Sequence, residues 1–560
     1  MTSKAWWKES VVYQIYPQSF QDSNGDGIGD LQGIISRLPY LEKLGVDVLW
    51  LNPIYQSPLV DNGYDIADYY QINPQYGTLV DFQELLQQAH EHHLKIIMDL
   101  VVNHTSDQHR WFQESKKSRQ NPYSDYYIWR DPQADGSAPN NWGSTFTDSA
   151  WEYVPARQQY YLHLFAKEQP DLNWENPQVR QEIYQMMRYW FDLGIDGFRM
   201  DVITLLSKKQ DFPDAPADLP RHKNYYYGSS NGPREHEFLQ EMYREVFAYY
   251  DVLTVGEAAN TNSDQALLYT DPQRHELNML FQFDHMHLDY GKYGKFSEVR
   301  FKLSDLRQVM TEWQQKLVQG WNSLYWSNHD QPRPTTRFGA EGKFRVVSAK
   351  MLGTLLHLMQ GTPYIYQGEE LGLKNVPFVS LNAYQDIETK QMIQELRAVG
   401  ESETKIKKIC YLKSRDNART PFPWNNSKNA GFSQGTPWIP VSPDYPQMNA
   451  QQALADPDSV FYYYQKLIAL RKKYSVVIDG RYENINSQDS EVYGFMRTNS
   501  QEQLIVICSF SQDPVNYSLP AEFTGSKLLL ANYSSMPASL EKQIELPPYA
   551  ALVYYRKLKN

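Results

Sequence analysis

The sequence predicts an α/β fold: a (β/α)8 TIM barrel, a subdomain inserted after its third strand, and a C-terminal antiparallel β domain. Three observations carry this. Short strands that are apolar on both faces alternate with helical periods, the pattern of a parallel sheet. Eight such strand-then-helix units can be counted, the number that closes a barrel. The alternation stops once inside the chain and once near its end. The division is 1–104 for the first part of the barrel, 105–171 for the insert, 172–478 for the rest of the barrel and 479–560 for the β domain.

The units run in order. Val11 to Tyr16 is β-rich and stops at Pro17, and a helix follows over about 30–44. Val46 to Asn52 is the second strand, closed by Pro53, and a helical period spans Thr78 to Glu91. Lys95 to His104 is a largely apolar strand that ends in polar groups. From 105 to 171 the period breaks into Tyr, Trp, Pro, Asn and Asp, with at most short strands such as Gln159 to Phe165. So long an excursion between a strand and its helix is usually functional. Alternation resumes with a helix over 176–193, the strand at Gly197, a helix over 235–250 and the strand Val252 to Glu257. Leu280–Asp284, Asn322–Asn328 and Pro363–Gly368 supply the last three strands. Beyond 478, Val492–Met496, Leu504–Ile507 and Ala551–Tyr555 alternate as antiparallel strands do.

Composition narrows the class. The 560 residues are 41% hydrophobic and 21% charged, as in a soluble globular enzyme of two or three domains. The net charge of −12 argues against nucleic acid or an anionic membrane as partner. Cys410 and Cys508 are the only cysteines and form no metal-ligand spacing, so two inert thiols are expected. The charged N-terminus, Met1 to Glu9, lacks the apolar run of a signal peptide, and no stretch is long enough to span a bilayer. A cytoplasmic protein, monomeric or weakly self-associating, is expected. Aromatics reach 14%, with 42 Tyr and 14 Trp, and their faces suit sugar rings as well as cores.

The chemistry centres on Asp196-Gly197-Phe198-Arg199-Met200-Asp201-Val202. Arg199 and Asp201 lie two residues apart in a strand and so share a side. A guanidinium beside a carboxylate lowers its pKa and keeps it ionised, as a nucleophile requires. An isolated R-x-D is better explained by a buried structural ion pair. However, Asn103-His104, Glu257 and His329-Asp330 also fall at C-terminal strand ends, which share one face of a barrel. Three carboxylates gathered there repel one another unless the site uses them. With no redox or phosphate motif, the set points to glycoside hydrolysis. Asp201 is then the nucleophile, Glu257 the acid/base raised by burial, and Asp330 the group that holds sugar hydroxyls and supports oxocarbenium charge.

A second cluster, Asp22-Ser23-Asn24-Gly25-Asp26-Gly27-Ile28-Gly29-Asp30, places oxygen donors at alternate positions with glycines between. Such a loop wraps a hard cation, and calcium is expected on Asp22, Asn24, Asp26, Ile28 and Asp30. It is no EF-hand, because the twelfth position is Gly33. The alternative is a polar turn without an ion.

These residues carry a resemblance. Asp99 to His104, Gly197 to Asp201, Val255-Gly256-Glu257 and Asn328-His329-Asp330 resemble the α-amylase family of glycoside hydrolases, and the likeness runs over nearly the whole chain. It implies the same three catalytic roles, and a site for the cleaved glucose lined by Tyr64, His104, Phe165, Arg199 and His329. Within that family the chain is most similar to oligo-1,6-glucosidases, through Gln169 to Trp174, Trp321 to Trp326 and Arg415 to Pro421. In these, the counterparts of Asp61 and Arg415 grip the far hydroxyl of the terminal glucose and make attack exo-acting. The loop at Asp22 matches their structural calcium loop.

Val202 bears on linkage. Family members with Val after the nucleophile tend to cleave α-1,6 bonds, and those with Ala or Thr α-1,4 bonds. The plain alternative is a β-former ending a strand. Glu257-Ala258-Ala259-Asn260 and Pro334 depart from the oligo-1,6-glucosidase pattern, and the region 284–298 lacks the Arg-rich loop of sucrose-isomerising relatives. The resemblance therefore implies a retaining exo-α-glucosidase on isomaltose, panose and short isomaltooligosaccharides. An α-1,4-glucosidase, a trehalose-6-phosphate hydrolase and a silent sugar-binding relative are the alternatives.

Overall fold

The computed structural model describes residues 5–219 and 224–558, so Met1 to Lys4 of the charged N-terminal segment lie outside it. Its centre is a parallel sheet of eight strands: β1 Val12–Ile15, β2 Val48–Leu51, β3 Lys95–Leu100, β4 Gly197–Met200, β5 Leu253–Ala258, β6 Met279–Gln282, β7 Ser323–Leu324 and β8 Thr362–Tyr366. The order is β6-β5-β4-β3-β2-β1-β8-β7, and a parallel bridge between Leu280 and Asn322 joins the two ends into a barrel. β7 is far shorter than its sequence suggests. Its partner in register at Leu324 is Pro363, which has no N–H to extend the ladder.

Alternation along the strands sorts the side chains. Val48 and Trp50, Ile97, Val255 and Phe281 pack together inside the barrel, while Leu49, Met98 and Phe198 face the helices. The polar residues Asp99, Arg199 and Glu257 share the inward phase with the first set. They fall where the barrel opens.

Local chemistry fixes the helices. Helix α1, Leu79–Glu91, begins on a capping box between Thr78 and Asp81. Helix α2, Pro177–Leu193, is capped by the Asn176 side chain and ends at Gly194 with φ 111°. The single helix expected over 30–44 is two, Leu31–Ile35 and Leu38–Leu44. Pro39 sits in the first turn of the second and has no N–H to return to Ile35, so the ladder breaks before it. Helix α3, Glu235–Glu245, also stops early, where Val246 leaves helical geometry. Later in the chain come α4, Leu303–Lys316, α5, Arg345–His357, α6, Ile387–Ala398, and α7, Val460–Lys473.

Between β3 and α2 a small antiparallel sheet joins Trp129–Arg130, Trp151–Val154 and Gln159–Leu162. It is tied to the barrel by a buried ion pair, Lys208 with Asp171 at 2.9 Å. At the C-terminal end, β9 Arg481–Ile485, β10 Val492–Thr498, β11 Glu502–Ser509, β12 Lys527–Ala531 and β13 Ala551–Lys557 form an antiparallel sheet in the order 9-10-11-13-12. No helix among the described residues is long and apolar enough to cross a membrane.

Candidate active site

A cavity of about 1380 Å³ opens where the barrel strands end. Asp201, Glu257 and Asp330 all line it, together with Asp61, Tyr64, His104, Phe165, Val202 and Arg415. Arg199 and His329 stand behind the wall and hold residues that form it.

Arg199 is the hub. Asp99 on β3 and Arg199 on β4 are register partners, so the guanidinium rises directly beside Asp99. Its Nη1 donates to Asp99 Oδ1 at 2.5 Å and to Asp201 Oδ1 at 2.7 Å, and its Nη2 donates to Glu257 Oε2 at 2.6 Å. The guanidinium lies 5.1 Å from the Trp50 ring, which walls it from below. Asp99 is held further by Trp50 Nε1 at 2.8 Å and the Tyr64 hydroxyl at 3.2 Å.

One cation thus serves three buried carboxylates. The expectation that Arg199 keeps Asp201 low is overturned. Burial raises the Asp201 carboxyl to about 7 and outweighs Arg199, and nearby Asp99 adds to the rise. Burial likewise lifts Glu257 to about 7 against Arg199, with Asp201 and Asp330 pushing the same way. The two groups interact directly, since a hydrogen bond from Glu257 favours the ionised form of Asp201. Near neutral pH the pair carries about one proton, and it titrates as a pair.

Asp330 is the opposite case. Burial disfavours its charge, yet His329, Arg415, Arg419 and Lys295 together hold it well below the ordinary carboxylate range. Arg419 reaches Oδ1 at 2.7 Å and Arg415 at 3.1 Å. His329 is kept neutral by burial. Its Nδ1 accepts from Gln14 Nε2 at 2.9 Å, which assigns the proton to Nε2, 3.2 Å from Asp330 Oδ2. The Tyr64 ring stacks on His329 with centroids 5.1 Å apart.

The far end of the cavity is closed by charge. Arg415 Nη2 pairs with Asp61 Oδ1 at 3.2 Å and with Asp386 Oδ1 at 2.6 Å. Phe165 packs on His104 at 5.0 Å, and His104 Nε2 donates to the Tyr64 carbonyl at 3.0 Å. Lys295 pairs with Glu388 at 2.8 Å on the opposite wall and donates to the Asp330 carbonyl at 3.0 Å.

Val202 is not the end of a strand. β4 stops at Met200, and Val202 sits at φ 36°, ψ 44° in the left-handed region. That conformation is rare for a β-branched residue and marks local strain. It turns the Val202 N–H toward Glu257 Oε2 at 3.2 Å and leaves the side chain on the cavity wall.

Sequence reasoning left Asp99, Asp386, Arg419, Lys295 and Glu388 without a role. Two had a usable signal: Asp99 shares the inward phase of Ile97, and Arg419 lies four residues after Arg415 on the same side. Asp386 caps α6 and Glu388 lies in its first turn, while Lys295 lies in an irregular stretch, and all three reach the site only through the fold.

The Asp22 loop lies elsewhere. Asp22 accepts the N–H groups of Asn24, Gly25 and Gly27, and Asp30 those of Ser23 and Gly33. Asp26 Oδ1 accepts the Ile28 N–H and Asn24 Oδ1 the Asp26 N–H. Among the described residues no three His, Cys, Asp or Glu are grouped to hold a metal by themselves. An ion here would need the Asn24 amide and the Ile28 carbonyl as well. The donors are all oxygen, which fits a hard cation.

Residues 14–480 match the alpha-amylase family as its catalytic domain. An oligo-1,6-glucosidase of Parageobacillus thermoglucosidasius is 54% identical over 99% of this chain and all of that protein. A trehalose-6-phosphate hydrolase of Bacillus subtilis (strain 168) is 49% identical over 98% of each. The crystal structure of an isomaltulose synthase from Klebsiella sp. LX3 superposes with a TM-score of 0.95 at 42% identity, covering 100% of both chains. The barrel, the carboxylates gathered at its mouth and these full-length likenesses agree: the chain belongs to the alpha-amylase family of glycoside hydrolases.

Proposed function

We propose that this enzyme is a retaining exo-α-glucosidase that releases glucose from the non-reducing end of short α-1,6-linked oligosaccharides. The observation that carries the reading is the bridging of Asp201 and Glu257 by one guanidinium, while burial raises both carboxyls to about 7, so that a proton can be divided between them. Retention needs that division: one carboxylate ionised to attack, one carboxylic acid to protonate the leaving oxygen. Asp201 attacks the anomeric carbon while Glu257 gives its proton to the departing sugar. A glucosyl-Asp201 ester results, and Glu257, now a base, activates the water that hydrolyses it. Asp330, fully ionised, supports the positive charge on the ring and holds its hydroxyls. Asp61 and Arg415 end the cavity behind that ring, so only a chain terminus fits.

The α-1,6 preference rests on Val202 at the cavity wall and on the oligo-1,6-glucosidase relatives. A 1,6 bond adds a rotatable methylene that clears a branched side chain. A phosphorylated disaccharide suits the cavity less well. Among the described residues its wall carries eight acidic side chains against Lys292, Lys295 and Arg415, and Glu388 neutralises Lys295. A dianion entering that field is repelled.

The test compares initial rates on isomaltose, panose, maltose and trehalose 6-phosphate, and reads the released glucose by proton NMR. The expected order puts isomaltose and panose first, with α-glucose formed first. Initial β-glucose, or trehalose 6-phosphate as the preferred substrate, overturns the reading.

Calcium in the Asp22 loop belongs to the same reading. The Asp22, Asn24 and Asp26 side chains, the Ile28 carbonyl and the Asp30 carboxylate would hold it, far from the chemistry, as a brace for the loop. Cytoplasmic action is proposed on the two buried, unpaired cysteines.

A further inference from the structure

Two turns carry the reacting carboxylates. Asp201 opens the turn after β4, and Glu257 stands one residue before the end of β5. Near the reacting atoms the turns are joined by the Val202 N–H, which donates to Glu257 Oε2 at 3.2 Å. Val202 is held at φ 36°, and a strained residue persists only where its surroundings over-determine it. The segment 231–235 supplies that support. The Asn231 N–H donates to the Thr204 carbonyl at 2.8 Å, and the Arg234 N–H to Ser207 Oγ at 3.0 Å. Glu235 Oε2 accepts the Ser207 N–H at 3.0 Å. A Cβ on Gly232 would stand 2.1 Å from the Ser207 carbonyl oxygen, so the segment lies directly on the turn.

Asn231 also reaches the other turn. Its Nδ2 donates to the Asn260 carbonyl at 2.9 Å. Asn260 lies three residues past Glu257, as Thr204 lies three past Asp201. Its Oδ1 accepts from the Tyr269 hydroxyl at 2.7 Å and from Thr261 Oγ1 at 3.4 Å. Tyr269 is buried in the helix Ser263–Thr270 that follows β5. The second Nδ2 hydrogen goes to Ser230 Oγ at 2.9 Å. A carbonyl only accepts, so the Asn260 oxygen fixes which end of the amide faces it. Both donors and both acceptor positions of the amide are thus taken within the protein, although Asn231 lines the cavity. Its backbone sits at φ 50°, a left-handed conformation that Asn and Gly tolerate best.

We infer that Asn231 is a positioning residue for hydrolysis: it clasps the turn after the nucleophile to the turn after the acid, and so fixes how Glu257 stands toward Asp201 and the leaving oxygen. The backbone N–H holds the nucleophile's turn, and the side-chain amide holds the acid's. A reacting group about 1 Å out of place costs about a hundredfold in rate, so a tie that touches no substrate still bears on kcat. The inference rests on Asp201 and Glu257 as the reacting pair.

Asn231→Gly tests it in the full chain. The variant removes the amide and keeps the left-handed backbone with its N–H to Thr204, so the acid's turn alone is released. kcat on isomaltose should fall about tenfold to hundredfold, with KM little changed. The first step with p-nitrophenyl α-glucoside, whose phenolate leaves without a proton, should fall far less. Tyr269→Phe removes one partner of the amide from outside the cavity wall and should give a smaller loss with the same substrate bias. In the double variant the Tyr269→Phe loss should disappear, because its partner is already gone. Equal losses on the two substrates, a parent-like kcat on isomaltose in Asn231→Gly, or losses that multiply in the double variant overturn the proposal. Urea midpoints show which variants are folded. Where Asn231→Gly is not, the substrate bias of Tyr269→Phe, which leaves every backbone tie in place, decides alone. Glu257→Gln run alongside separates the failures. If it keeps the isomaltose rate, the assignment of the acid falls; if it collapses while Asn231→Gly does not, only the clasp falls.

Discussion

Glu257→Gln isolates the proton donor, because the structure lets the amide take the carboxylate's place. Both hydrogen bonds that Glu257 accepts fall on one oxygen, Oε2, from Arg199 Nη2 at 2.6 Å and from the Val202 N–H at 3.2 Å. The glutamine carbonyl can occupy that position and accept both, with its amide group where Oε1 was. The fold should hold, and one buried acid with a raised pKa is removed. What is lost is general acid catalysis, worth about 10²–10⁴ in rate, or roughly 3–5 kcal/mol of barrier. The loss should appear in full for isomaltose, whose leaving sugar must be protonated. It should be much smaller in the first step with p-nitrophenyl α-glucoside, whose phenolate leaves unaided, so a burst of p-nitrophenol should precede slow turnover. In the parent enzyme kcat/KM should fall on both sides of neutrality, because the pair must hold one proton. In the variant the alkaline limb should vanish. A loss below tenfold on isomaltose with the bell intact would refute the assignment of Glu257, and so would equal losses on the two substrates.

Val202→Thr is isosteric, so it should keep the left-handed backbone while raising turnover of maltose relative to isomaltose; an unchanged ratio of kcat/KM removes the linkage argument. Val202→Gly should relieve about 1 kcal/mol of backbone strain, read as a higher midpoint in urea. Glu369 is raised to about 8 by burial, against the Ser327 hydroxyl that favours its charge. Its folded pKa lies above its unfolded value, so its contribution is complete below about pH 4.5 and is lost as pH rises toward 8. Glu369→Gln should therefore flatten the fall in melting temperature between pH 5 and 8, and an unchanged slope counts against burial as the cause. Removing calcium with a chelator should lower the melting temperature, and Asp22→Ala should make it insensitive to the chelator. A parent enzyme that melts identically with and without chelator has no ion in the loop.

The barrel was legible because its signals are local. Short apolar strands, capped helices such as the one opened by Thr78, and prolines such as Pro17 and Pro53 after the first two strands are all short-range signals, and the strand-then-helix unit they mark recurs eight times. What escaped is what depends on a neighbour distant in sequence. β7 is short because Pro363 lies across from it, whereas the break in the helix after β1 is local to Pro39 and stood in the sequence itself. The site divides in the same way. Asp201, Glu257 and Asp330 stand at strand ends and announce themselves by type and place. Asp386 meets Arg415 and Arg419 from the N-cap of α6, and nothing in its flanking residues reports that meeting. The plain alternative for Val202, a β-former ending a strand, rests on the strand preference of β-branched residues. The structure turns it left-handed, and the strain serves to aim an N–H at Glu257.

The charge states show most clearly what a single chain of letters hides. Arg199 stands two residues before Asp201, and from that spacing a dedicated ion pair follows. In the fold the same guanidinium also answers to Asp99 and Glu257, so each carboxylate receives a fraction of one positive charge, and burial wins. Asp330 has only His329 beside it in sequence, and that imidazole is neutral. In space it has Arg415, Arg419 and Lys295, and burial loses. Aspartates of the same kind, at the ends of barrel strands, are thereby set to opposite tasks. The one that shares its cation can lose its charge to a covalent bond with little penalty, which suits a nucleophile. The one surrounded by cations stays ionised throughout, as a group must that faces positive charge on a sugar. The ratio of carboxylates to cations around each group, set by the barrel's register and by loops far apart in the chain, decides which role it plays.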